Sequence, residues 1–301
     1  MKKNTSLLGP ALIVLAGIFW GSMGIFVRRL GALGFTSLQI TAARLVLGAL
    51  IFCLILLLRD PKGFRIRVTD IPLFLGLGFA SVLFFTVCYF TAITMMPLST
   101  AAILLYTSPI WILLMSVLFF HEKLNGRKVL ALALAFGGCV LVSGLIGGSG
   151  SGGLTIAGLL FGLGAGFGYG LYSILGTVAL RRYAPLTVTT WTFIISGAGS
   201  LLICRPREMT ALIAAAPSPA GTLLLLLLTA LITAVVPYLS YTQGLRTVEA
   251  SRAGILATVE PLVATLIGVL VFSEPMTLSS GLGIVLILAA VVLLNSPARG
   301  A

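Results

Sequence analysis

The sequence predicts an all-α polytopic membrane protein whose ten transmembrane helices form two inverted five-helix repeats. Three observations carry that prediction. The 301 residues are 59% apolar and 9% charged, with a mean hydropathy of +1.17, whereas a soluble domain holds near 25% charged residues. The apolar residues gather into ten continuous stretches of about twenty, the length a helix needs to cross a hydrocarbon core of about 30 Å. They carry Gly and Pro inside them and lack the alternation of an outer-membrane barrel strand. Finally, the second half of the chain repeats the first at an offset of 152 residues.

The first stretch, 8–27, follows Met1-Lys2-Lys3 and imitates a signal peptide, but Arg28-Arg29 and nine further stretches come after it, so it is read as an uncleaved span. The second, 38–58, holds Arg44 near its start, and the third, 71–92, holds Tyr89. The fourth, 99–120, contains Pro109 and runs into His121-Glu122-Lys123; the fifth is 127–146. The sixth, 155–179, carries overlapping Gly-x-x-x-Gly patterns from Gly158 to Gly170, which let helices approach closely. The last four are 187–204, 220–243, 251–272 and 278–295, the ninth containing Glu260-Pro261. About eight residues remain per connection once spans of this length are placed, so no separate soluble domain fits.

Fourteen of the nineteen Lys and Arg fall in alternate connections on the side of the N-terminus, and only Arg28, Arg29, Arg205 and Arg207 fall on the other. Short cytoplasmic loops retain positive charge, so both termini are expected in the cytoplasm, with the chain in the cytoplasmic (inner) membrane. The same distribution explains the net charge of +12 without nucleic acid, because the basic residues form no single face.

The run 147–154, rich in Gly and Ser, has a flexible-linker composition and divides the chain into a first repeat, 1–146, and a second, 155–301, within one integral membrane domain. It lacks the Gly-Lys-Ser/Thr ending of a phosphate-binding loop. Over positions 99–122 the offset gives ten identities in 24 without a gap, among them Ser99 with Ser251, Pro109 with Pro261 and Glu122 with Glu274; Tyr89 with Tyr241 extends the match. Five spans per half is an odd number, so the second repeat starts on the opposite side of the membrane and is inverted. Inverted repeats with interrupted helices near the midplane are the signature of an alternating-access transporter.

The run from Ala102 to Glu122 and its copy from Gly254 to Glu274, each with a mid-span Pro and a terminal Glu, resemble the EamA-type family of the drug/metabolite transporter superfamily. Gly17-Ile18-Phe19-Trp20-Gly21, Ala43-Arg44-Leu45 and Val259-Glu260-Pro261-Leu262 add to the resemblance, which covers nearly the whole chain. It implies a ten-helix fold with a central cavity lined mainly by helices one, three, four, six, eight and nine. It also implies transport of a small metabolite, most often outward, from a cargo range that includes amino acids, nucleosides, sugars and cationic drugs. The four-helix multidrug relatives keep an essential Glu in their first helix; this first helix has no acidic residue, so their proton exchange does not carry over.

Glu260 is the one carboxylate well inside a span. A charge at that depth needs a partner or a water-filled cavity, so Glu260 is the leading candidate to bind a cationic group or exchange a proton with the cargo. A hydrogen bond that steadies the break at Pro261 is the competing reading. Pro109 and Pro261 withhold backbone donors at equivalent positions and disturb the carbonyls of Leu105 and Ala257, which marks both as hinge candidates. Tyr and Trp combine an apolar face with one hydrogen-bonding tip, which suits an amphipathic ligand. On this basis Trp20, Tyr89, Tyr106, Tyr172, Tyr241 and Gln243 are the remaining cavity candidates, with Tyr169, Trp191 and Tyr238 also in or near spans. Arg44 is read as structural, its long side chain able to snorkel to the outer interface, with substrate contact as the alternative and Glu260 as a less favoured partner because the two lie at different depths. His121-Glu122-Lys123 reads as a helix-end cluster, with Glu122 and Glu274 fixing loops or caps.

The expected function is secondary transport of a small metabolite, with amino acids or related amphipathic compounds as the leading cargo and a proton or other ion as a possible coupling partner. A passive facilitator is the alternative. Catalysis is not expected: Cys53, Cys88, Cys139 and Cys204 stand singly, no His lies inside a span, and no paired carboxylates or nucleophile with a base are present. Neither a cofactor nor a metal is called for, and the expected partners are the lipid bilayer and the small-molecule cargo.

Overall fold

Long apolar runs leave each backbone amide to find its partner within its own segment, and every regular element among the described residues is helical. The computed structural model describes residues 7–96, 98–142, 155–273 and 276–295; the expected linker at 147–154 and Glu274 lie outside them. The elements are α1 (Leu8–Gly21), α2 (Met23–Ala32), α3 (Ser37–Arg59), α4 (Ile71–Leu75), α5 (Phe84–Met95), α6 (Leu98–Leu105), α7 (Ser108–Phe120) and α8 (Gly126–Val142). They continue as α9 (Ile156–Ala179), α10 (Pro185–Leu201), α11 (Pro206–Ala215), α12 (Pro219–Ala230), α13 (Val236–Gly244), α14 (Ala250–Leu256), α15 (Val259–Phe272) and α16 (Leu278–Asn295).

Local chemistry sets the boundaries. Thr36 and Gln39 form a reciprocal cap at the start of α3, with Thr36 Oγ1 accepting from Gln39 N at 3.3 Å and Gln39 Oε1 from Thr36 N at 2.9 Å. Thr155 and Ser218 cap α9 and α12 in the same sense, and Pro185 opens α10 where a missing N–H costs nothing. α7 and α15 both stop in a left-handed residue, His121 at φ 52° and Ser273 at φ 53°, which are equivalent under the offset of 152.

Joined across their short breaks, seven helical stretches are long and apolar enough to cross a membrane. They are Leu8–Ala32, Ser37–Arg59, Val68–Met95, Thr100–Phe120, Ile156–Ala179, Pro219–Gly244 and Ala250–Phe272; the pair α10 and α11, bent by 87°, makes an eighth if counted as one. Leu278–Leu294, within α16, is a shorter apolar helix.

Several stretches are interrupted, the fourth and ninth where their prolines predict it and the others where the sequence reading marks none. The first runs on to Ala32 and breaks at Ser22, whose hydroxyl donates to the Phe19 carbonyl at 2.7 Å. The fourth and ninth break just before their prolines, between α6 and α7 and between α14 and α15. Gly76–Leu83, between α4 and α5, and Leu231–Val235, between α12 and α13, are π-helical; residues 79–83 coincide with 231–235 under the repeat offset. α11, read from sequence as loop, packs Met209, Leu212 and Ile213 against Leu30, Phe35 and Ile40.

The strongest packing joins residues before the 147–154 run to residues after it. α3 lies on α10 and α8 on α16; α5, α6 and α7 lie on α9, while α13, α14 and α15 lie on α1. The pairing is reciprocal, the opening helix of each half resting on the third and fourth stretches of the other. Close approach has a specific basis at two glycines. A Cβ on Gly21 would sit 2.6 Å from the Glu260 carbonyl, and one on Gly166 would sit 2.7 Å from the Leu104 carbonyl. Each opening helix therefore presses its backbone against the break in the opposite half.

Candidate functional site

The two breaks and the two opening helices meet at the centre, where the aromatic residues collect. α9 presents Tyr169 and Tyr172 three residues apart, hence on one face, and α13 presents Tyr238 and Tyr241 in the same way. Trp20, two residues before the break at Ser22, stands between them. Its ring centroid lies 6.0 Å from Tyr169, 5.3 Å from Tyr238 and 5.4 Å from Tyr241, and Tyr172 lies 5.2 Å from Tyr238. Edge-on and tilted pairs of this kind contribute about 0.5–1.5 kcal/mol each beyond area burial.

The polar tips are ordered as well. Thr242 commits its proton to the Tyr238 carbonyl at 2.7 Å, so the 2.6 Å contact with Tyr172 has the Tyr172 hydroxyl as donor. Ser173 Oγ and Tyr241 Oη are 2.7 Å apart. These contacts tie α9 to α13 across the two aromatic ladders. The rings, together with Ser81, Val82, Phe85 and Ser173, enclose a free volume of about 10 Å3, close to what one water needs.

Glu260 sits in the first turn of α15, half-buried, and accepts a hydrogen bond from the Tyr169 hydroxyl at 3.0 Å. Tyr89, Tyr106 and Tyr238 are its electrostatic neighbours. Of the residues expected from sequence, Trp20, Tyr172 and Tyr241 line the enclosed space, while Tyr89 and Tyr106 stand near the carboxylate. Gln243 is exposed and does not line it. Pro109 and Pro261 are the second and third residues after their breaks. Tyr169, Tyr238, Ser81, Ser173 and Thr242 complete the cluster and were not among the sequence candidates. The i, i+3 spacing of the tyrosine pairs is the signal that marks two of them.

Arg44 does not snorkel. It is 5% exposed, and Nη1 donates to Met23 Sδ at 2.9 Å, just past the break at Ser22. Its charge neighbours are Tyr238, Glu260 and Tyr169. Met23 is the first residue of α2, so the guanidinium lies inside the bundle beside the break and not out at the interface.

A second polar cluster lies at the end of the bundle that carries the basic connections. Lys128 Nζ contacts Glu122 Oε2 at 3.1 Å and Glu249 Oε2 at 2.7 Å, and the Ser251 hydroxyl donates to Glu122. This joins α7 and α8 to α14. Separately, Asp70 accepts from Arg182 at 2.8 Å and from Tyr183 at 2.7 Å. Burial and the Asp70 carboxylate hold the Tyr183 phenol above its ordinary pKa. Among the described residues no group of three His, Cys, Asp or Glu is placed to hold a metal ion, and the four cysteines are free thiols.

The model of the EamA-like transporter family matches residues 7–144 and again 156–296. An uncharacterized transporter of Archaeoglobus fulgidus is 31% identical over 289 residues, covering 95% of both chains. The uncharacterized transporter YwfM of Bacillus subtilis is 25% identical over 300 residues, covering 99% of this chain and 96% of its own. A crystal structure aligns with a TM-score of 0.79 over 95% of each chain at 17% identity, a likeness of fold alone. The chain belongs to the EamA-like transporter family.

Proposed function

We propose that this member of the EamA-like transporter family is a secondary transporter that moves a small metabolite across the cell membrane by alternating access, with export as its direction. The observation that carries the reading is the meeting of two interrupted helices, one from each half, with a carboxylate and a closed aromatic cluster at their junction. Unwound backbone at membrane depth is tolerated where it lines a binding site, and inverted repeats place such sites near the midplane.

The reading includes ten crossings, two inverted repeats and both termini in the cytoplasm. Its support is the reciprocal packing, the matching π-helical stretches and left-handed caps, the separate family matches to 7–144 and 156–296, and the distribution of Lys and Arg. In this scheme the halves rock about the Trp20 cluster. Glu260 supplies the charge that binds or exchanges with cargo, Trp20, Tyr89, Tyr106, Tyr172 and Tyr241 shape the space, and Pro109 and Pro261 act as hinges. Amino acids or related amphipathic compounds are the proposed cargo.

The test is counterflow in proteoliposomes loaded with a mixed pool of amino acids, nucleosides and small cations, read by mass spectrometry. The expected result is saturable exchange of one class, strongly reduced by Glu260→Gln. Flux without saturation or counterflow would support the facilitator instead. Exchange that Glu260→Gln leaves intact would remove the carboxylate from the mechanism.

A further inference from the structure

Buried polar atoms without partners are uncommon, and each calls for a reason. Two of them stand one turn apart on the same face of α3: among the described residues, Thr41 Oγ1 and Arg44 Nε have no hydrogen-bond partner. A third, Ser81 Oγ, belongs to the π-helical stretch before α5 and lines the enclosed central space. The guanidinium carries five donors in a planar fork, and among the described residues its one hydrogen-bond partner is a thioether, a weak acceptor. Arg44 and Glu260 share Tyr169 and Tyr238 as neighbours. No ion pair within 4.0 Å joins them among the described residues, although direct contact is the arrangement a structural pair would take. Donor capacity at this end of the site therefore exceeds the acceptors the protein supplies, and the excess is a cation held out of water.

Resting on the carrier reading above, we infer that Arg44 is the anion-binding element of the central site and that the cargo bears a carboxylate. A planar two-oxygen anion matches the guanidinium fork. Thr41, one turn away on α3, offers a further hydroxyl donor, and Glu260 with its tyrosines remains for the positive or hydrogen-donating part of the same molecule. The site then selects cargo by its two ends, and Arg44 is the specificity-determining residue for one of them.

The experiment is counterflow by the full-length protein in proteoliposomes with two matched pools: the common L-amino acids, and the primary amines left when their carboxylates are removed. A third pool of nucleosides and sugars is run alongside. The wild-type protein is expected to exchange from the carboxylate pool at least tenfold faster than from the amines. Arg44→Gln is expected to cut that exchange about ten- to hundredfold, the range of a lost charge-assisted hydrogen bond, and Arg44→Lys to restore part of it. A wild-type rate as fast for amines as for amino acids overturns the inference without any variant, so a misfolded Arg44→Gln does not decide the matter. Undiminished amino-acid exchange by a folded Arg44→Gln overturns it too. Exchange confined to nucleosides or sugars defeats the carboxylate but leaves the carrier reading standing; no exchange from any pool by folded protein defeats both.

Discussion

In the first half the chain interrupts its fourth stretch after Leu105 and resumes at Ser108; in the second it stops after Leu256 and resumes at Val259. Both breaks precede a proline, and both are steadied by a threonine hydroxyl donating to the carbonyl three residues back, Thr107 to Leu104 at 2.6 Å and Thr258 to Ile255 at 2.7 Å. Both lie under the opening helix of the other half. Their chemistry differs. The repeat offset sets Ser108, buried and neutral, opposite Glu260, a carboxylate held by Tyr169. α15 also begins two residues before its proline, whereas α7 begins one before. The backbone device is common to both halves while the charge belongs to one, so the proposal assigns the interruption to the architecture and Glu260 to the ligand.

The largest test of that separation is to remove the charge and its counterpart in turn. Glu260→Gln keeps the shape and is expected to lower counterflow at least a hundredfold, together with any response to an imposed proton gradient. Ser108→Ala is expected to change it less than threefold. Equal losses at both positions would mean that the breaks are matched in function as well as in backbone.

Next in size is the contact between each opening helix and the opposite break. Gly21→Leu and Gly166→Leu both force a side chain into a carbonyl less than 3 Å from the new Cβ, and overpacking of this kind costs about 1–3 kcal/mol or more. Thermal unfolding in detergent should fall by several degrees for each, and by similar amounts. A loss at one site only would show that the halves do not lean on each other reciprocally.

Much of this organisation was legible in the amino acids. Pro109 and Pro261 marked both breaks, because a missing donor and a ring clash act on the backbone wherever the chain is placed. Glu260 stood out as a candidate because a lone carboxylate in a span is conspicuous. The break at Ser22 was not foreseen: Gly21-Ser22 permits a kink but does not compel one. The inward placement of Arg44 was not foreseen either; its guanidinium meets Met23 Sδ just past that break. The π-helical stretches have no residue signature, and α11 lies in a segment whose polar ends read as loop. Gln243 follows Tyr241 by two residues, about 200° around a helix, so the face that brings the tyrosine inward turns the amide out.

The smallest expected effect probes what the two breaks share. Thr107→Val and Thr258→Val each delete one hydroxyl that satisfies a carbonyl near the interruption, with little change of volume. A hydrogen bond of this kind contributes about 1 kcal/mol, so each variant should lower the unfolding temperature by a few degrees while leaving counterflow within about twofold. If stability falls alike at both positions and transport responds at neither, the breaks are one structural device used twice. A selective transport defect in Thr258→Val would instead mean that the local backbone at the second break is tuned to hold Glu260 against Tyr169, and that architecture and ligand chemistry are joined in that half after all.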